Sequence, residues 1–110
     1  MKDSIRKLTL GKKSEFKTVE HDHEGEKVVF KQPSLGDRSK LVRKSMVNGE
    51  LDPVQFQIWS VIYLTYDQDG NKVFDETDYD SLLAQPAGSF VDTFAEKATE
   101  LLGNSKEESN

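Results

Sequence analysis

The stretch Asp52-Pro53-Val54-Gln55-Phe56-Gln57-Ile58-Trp59-Ser60-Val61-Ile62-Tyr63-Leu64-Thr65-Tyr66 decides the fold. Asp52 offers an N-cap carboxylate, and Pro53 suits the first helical position because its fixed φ and missing N–H cost nothing there. Phe56, Ile58, Trp59, Val61, Ile62, Tyr63 and Leu64 then cover almost the whole circumference of a helix. A helix that is apolar all round is either central or covered in part by a partner. The β-branched residues make a strand conceivable over Val61–Tyr66, but the length and the cap favour one core helix over 52–66.

Downstream, Asp67-Gln68-Asp69-Gly70-Asn71 is turn chemistry, and Lys72-Val73-Phe74 suits a short extended piece. Thr77 and Asp80 then resemble the cap of a short helix over 77–84 that carries Tyr79, Leu82 and Leu83. Phe90, Val91, Phe94, Ala95, Ala98, Leu101 and Leu102 recur at helical spacing, with Gly103 as a stop, and predict a last helix over 88–102. The polar string 104–110, NSKEESN, has no apolar anchor and is expected to be a disordered tail.

Upstream, Ser34 is an N-cap candidate for a helix over 34–48, with Asn48-Gly49 as its stop. Leu35, Leu41, Val42, Ser45 and Met46 fall near one face of that helix, and Arg38, Lys40, Arg43 and Lys44 make a basic strip on the other. Two β-rich runs around a polar, glycine-containing loop at 21–25 predict a hairpin over 15–32. Residues 1–14 have no clear period and read as a flexible arm. The expectation is a mainly helical α+β chain: an N-terminal β-hairpin followed by about four helices, forming a single domain over 15–103. Its predicted core holds Leu41, Phe56, Trp59, Ile62, Phe74, Leu82, Phe90, Phe94 and Leu101.

A chain of 110 residues with 35% apolar and 32% charged residues has room for one small core. It contains no cysteine, which excludes disulfide scaffolds, thiolate zinc sites and cysteine nucleophiles. No apolar run approaches the roughly 20 residues of a membrane span, and the N-terminus lacks the apolar core of a secretory signal. The net charge of −5 conceals an asymmetry: residues 1–50 carry twelve Lys/Arg against eight Asp/Glu, and residues 51–110 carry three against twelve. The cations alternate with Glu15, Glu20, Asp22, Glu24 and Glu26, which breaks up any stripe able to follow a nucleic-acid backbone. Unlike halves in neighbouring copies attract, which favours head-to-tail homo-oligomers.

Catalytic and metal signatures are thin. The acidic run Asp67–Asp78 invites a calcium reading, but each register loses part of the pattern. Starting at Asp67 puts glycine at loop position 4, and starting at Thr65 puts threonine at position 1. His21 and His23 would share one side of a strand, yet two imidazoles without a third ligand make a weak zinc site, and a solvated hairpin loop is the simpler reading. The sequence holds no Gly-x-Ser-x-Gly elbow, no glycine-rich phosphate loop and no carboxylate pair with an evident apolar pocket. No enzyme, metal or cofactor is expected. The aromatics Phe56, Trp59, Tyr63 and Tyr66 are read first as core and second as a protein-binding face.

The order of segments from Tyr66 onward carries a resemblance. Asp67, Asp69, Gly70, Val73 and Phe74 form an Asp-x-Asp-Gly turn into a hydrophobic-Phe pair. Asp78 and Leu82 follow in a short helix, and Phe90, Phe94, Leu101 and Gly103 mark a last helix with its stop. Val28–Phe30 leading into Pro33, Ser34 and Leu35 matches an extended piece that enters a basic helix. Over about residues 26–104 this resembles the tail assembly chaperones of long-tailed (siphovirus) bacteriophages.

The resemblance implies a non-enzymatic protein of the host cytoplasm, absent from the mature virion, that binds the tape measure protein and helps recruit the tail tube protein. Binding is then expected on the first two helices, with Arg38, Arg43, Phe56 and Trp59 as candidate contacts. Another phage adaptor, a head–tail connector or a small calcium-binding module is the alternative. The resemblance further implies a longer form, made by a ribosomal frameshift near the end of the chain, as the main binder of tube protein. Leu102-Gly103-Asn104 is encodable as CTG-GGA-AAC, which contains the slippery string G-GGA-AAC.

Overall fold

A computed structural model describes residues 1–11 and 15–102. The expected tail over 104–110, the Gly103 stop and residues 12–14 of the expected arm lie outside the described residues. The chain forms α1 (Lys2–Leu8), β1 (Thr18–His23), β2 (Glu26–Lys31), α2 (Leu35–Lys44), β3 (Met46–Val47), β4 (Glu50–Leu51), α3 (Pro53–Leu64), β5 (Thr65–Asp67), α4 (Tyr79–Leu83) and α5 (Phe90–Thr99). A single 3-10 turn at Glu76–Asp78 leads into α4. The expected α+β class is the observed one, with the hairpin ahead of α2, α3, α4 and α5; the short α1, within the expected arm over 1–14, precedes it.

Three antiparallel strands in the order β1-β2-β5 make the main sheet. The hairpin turns on two residues, because Glu24 and Gly25 both take positive φ (50° and 89°), the conformation of the tight turn that matches strand twist. His21 and His23 therefore do not lie in a solvated loop. They sit in β1 opposite Val28 and Glu26, on the side of the strand that is half-buried. Helix α5 packs on β2, α3 packs on α5 and on α2, and α4 closes against α3. The buried cluster runs through Phe30, Leu41, Val61, Ile62, Leu64, Leu82, Phe94, Ala95 and Ala98.

The central helix starts as the sequence dictates: the Asp52 carboxylate accepts from Gln55 N–H at 2.9 Å, with Pro53 following. It ends earlier than expected. From Thr65 the backbone becomes extended, and Thr65, Tyr66 and Asp67 pair with Phe30, Val29 and Val28. The open edge of β2 needs a partner for its N–H and C=O groups, and residues of strand propensity leave the helix cheaply. Helix α2 likewise stops at Lys44. Asn48-Gly49 is not its terminator but the tight turn of the β3–β4 hairpin, with φ of 53° and 81°. The 3-10 turn that leads into α4 is capped two residues upstream of Thr77: Asp75 accepts from Thr77 N–H at 2.8 Å, and Asp78 accepts from Asp75 N–H at 2.9 Å.

Of the predicted core, Leu41, Ile62, Leu82, Phe94 and Leu101 are buried, whereas Phe56, Trp59, Phe74 and Phe90 are half-buried against it. The apolar face read for α2 is narrower than expected. Leu41 and Ser45 are enclosed, but Leu35 is 75% exposed and Val42 and Met46 also reach solvent. Phe30, the largest fully buried side chain, comes from the hairpin rather than from any helix. No helix among the described residues is long and apolar enough to cross a membrane.

These burials set the cost of truncation. Phe94→Ala, which removes a ring enclosed by α3 and the sheet, is expected to lower stability by about 3–5 kcal/mol in urea unfolding. Leu35→Ala, on the exposed side of α2, is expected to change it by no more than ~0.5 kcal/mol.

Candidate functional site

Helix α2 displays its cations along a solvent-facing stripe because Leu41 and Ser45 alone anchor it to the core. Lys40, Arg43 and Lys44, joined by Glu76, line a shallow open depression of about 360 Å³. Lys44 is held in place from two sides. Its Nζ lies 3.6 Å from Glu76 Oε1 and 4.8 Å from the centroid of the Trp59 ring. Cation–π attraction of this kind strengthens where water is partly excluded.

Behind Lys44 stands a ladder of aromatic rings. Trp59 stacks on Tyr79 at 4.9 Å and on Tyr63 at 6.0 Å, both at 27° between planes. Lys72 Nζ sits 4.9 Å from the Tyr63 centroid. The Trp59 indole N–H is buried without a hydrogen-bond partner among the described residues, so stacking and Lys44 hold the ring. Tyr63 donates its hydroxyl to Glu76 Oε2 at 2.8 Å. Burial, then that bond and the Glu76 charge, push the Tyr63 phenol up to about 12. The same bond, followed by the charge of Lys44, holds the Glu76 carboxyl below the usual carboxylate range. The patch thus combines four cations (Lys40, Arg43, Lys44 and Lys72), one carboxylate and a stacked aromatic wall, a composition suited to protein contact.

The four residues singled out from sequence do not form one site. Arg43 lines the depression, and Trp59 adjoins it through Lys44. Arg38 faces elsewhere, donating to Leu102 C=O at 3.4 Å beside an apolar groove of about 370 Å³ with Phe16, Pro33, Leu35 and Leu101. Phe56 is half-buried against the core. Tyr63 and Tyr79, not among the four, complete the wall. The four-residue spacing of Trp59 and Tyr63 signals the first of them, but nothing local signals Tyr79.

The acidic turn is closed by its own backbone. Asp67 Oδ1 accepts from Asp69 N–H and Asn71 N–H, each at 2.9 Å, which holds that carboxyl below its ordinary range. The rings of His21 and His23 stand edge-on to Phe94, at 5.8 and 5.4 Å, and pack as aromatics. Among the described residues no group of three or more His, Cys, Asp or Glu is placed to hold a metal ion.

The arrangement of hairpin, basic helix, central helix and C-terminal helices has a counterpart among solved structures. The structure of the bacteriophage HK97 tail assembly chaperone matches it with a TM-score of 0.60 at 20% identity, over 94% of this chain and 98% of that one. The two chains share one fold. The resemblance read from the segment order therefore holds in three dimensions. No protein-family model matches the sequence, and no curated protein matches it.

The Tyr63–Glu76 bond has a measurable alkaline signature. A raised phenol pKa contributes stability that is complete below the unfolded value of about 10 and is lost as pH rises through the folded one. Unfolding midpoints are expected to fall between about pH 10 and 12, less steeply in Tyr63→Phe. Glu76→Gln is expected to lower the last tyrosine transition in ultraviolet titration.

Proposed function

We propose that this chain is a phage tail assembly chaperone: a non-enzymatic protein of the infected cell's cytoplasm that binds the tape measure protein, helps recruit tail tube protein and leaves before the virion matures. The observation that carries the reading is the shared fold with a phage tail assembly chaperone along nearly the full length of both chains. A long helical client needs many weak, reversible contacts, and an exposed cationic strip backed by aromatic rings supplies them. Arg38 and Arg43 would meet acidic side chains of the client, while Trp59 and the half-buried edge of Phe56 would meet apolar ones. Self-association is part of the same proposal, supported by the basic first half and acidic second half of the chain. A frameshifted long form would carry the tube-binding part, and the DNA across Leu102–Asn104 tests it through presence or absence of the slippery string.

Coexpression with the tape measure protein encoded nearby tests the main reading. The protein is expected to copurify with it and keep it soluble, and a client that stays insoluble and unbound would refute the proposal. The double charge reversal Arg38→Glu with Arg43→Glu is expected to weaken capture by about tenfold or more while leaving the circular dichroism spectrum unchanged. Unaltered capture would remove these two residues from the binding surface.

A further inference from the structure

Helix α1 has a distinct apolar stripe and nothing to put it on. Met1, Ile5 and Leu8 recur at helical spacing along one side, Lys2, Arg6 and Lys7 flank them, and Asp3 is the one acid. None of its residues is buried; Ile5 and Leu8 are more than 60% exposed. Seven residues are too few to hold a helix in water by propensity, so such a segment gains its stability on docking.

Two apolar grooves on the body could receive such a stripe, and charge separates them. The groove beside α2 is edged by Arg38, of the same sign as α1. The other lies between α3, α4 and the start of α5, with a volume of about 230 Å³. Its floor includes Ile58 and Val91, and its lips are Val54 and Leu83, each about half exposed. Among the described residues that line it, the one charged side chain is Asp92, whose carboxylate accepts from Gly88 N–H at 2.6 Å and so is fixed at the rim.

We infer that α1 of one copy docks its Ile5–Leu8 stripe into the Val54–Leu83 groove of a second copy, with Arg6 and Lys7 toward Asp92. The inference rests on the self-association proposed above and names its contact. Stripe and groove are different surfaces, so the contact is heterologous: each copy can receive one neighbour and enter another, which builds rings or open chains.

The test uses two full-length variants in sedimentation velocity at low salt and high micromolar concentration, with circular dichroism as the check on folding. Ile5→Asp with Leu8→Asp spoils the stripe, and Leu83→Lys spoils the groove, with Val54→Lys as the substitute where Leu83→Lys misfolds. The wild type is expected to assemble, each variant alone to associate about tenfold more weakly or less, and an equimolar mixture to form heterodimers and nothing larger. That last result follows because one variant keeps a good stripe and the other a good groove. Variants that assemble like the wild type would overturn the α1 contact while leaving self-association standing. A mixture that stays monomeric would overturn the head-to-tail pairing. A strictly monomeric wild type would overturn self-association and this contact together.

Discussion

Strand β5 begins at the residue after the last helical residue of α3, so three ladder pairs between β5 and β2 tie the central helix to the sheet with no linker to adjust. That constraint sets the direction in which α3 leaves the sheet and thereby what its faces meet. One side receives α5, whose Phe94 ring lies 5.3 Å from Phe30. Another side receives α2 through Leu41. Phe30, Val61, Ile62 and Leu64 are almost wholly enclosed because they lie where hairpin, central helix and last helix converge. In so small a chain, one such convergence accounts for most of the apolar area available for burial.

The remaining side of α3 carries Tyr63, a member of the buried cluster, and Trp59, half-buried against it. Both are covered by the chain that returns after β5. Tyr79 stacks on Trp59, and Glu76 accepts the Tyr63 hydroxyl and faces Lys44 of α2. The patch is therefore a joint product of α2, α3 and the segment between β5 and α4. Glu76 holds both the Tyr63 hydroxyl and Lys44, which keeps Lys44 at the surface in a defined position. A surface built this way is ordered before any partner arrives, and preorganisation lowers the entropy lost on binding.

The helical elements were legible because their signals are local. The Asp52–Pro53 start, the Ser34 cap and the spacing of Phe90 and Phe94 are each local to one helix, and the structure shows all three, although the last helix covers Phe90–Thr99 rather than 88–102 and Leu101 lies in the turn beyond it. Several misreadings share a cause in the reverse situation. Thr65–Asp67 leaves the helix for an edge more than thirty residues away in sequence. The histidines of β1 are half-buried because Phe90 and Phe94 arrive from the far end of the chain. Asn48-Gly49 carries two local meanings, helix stop and hairpin turn, and only the pairing of Met46 with Leu51 and of Val47 with Glu50 separates them.

By itself the sequence determined the class of fold, the central helix and its cap, the basic strip on α2 and the unequal charge of the two halves. These depend on residue type and on spacings shorter than one element. The tertiary structure decided which members of the strip share a surface. Arg43 joins Lys40 and Lys44, whereas Arg38 turns toward Leu102 beside another groove. It also decided that Tyr63 and Tyr79 complete the aromatic wall, and that the apolar stripe of α1 finds no cover on the described body. The physical reason is that burial and charge pairing depend on distances between elements, and those distances are set by the β2–β5 ladder and the packing of α5 upon it.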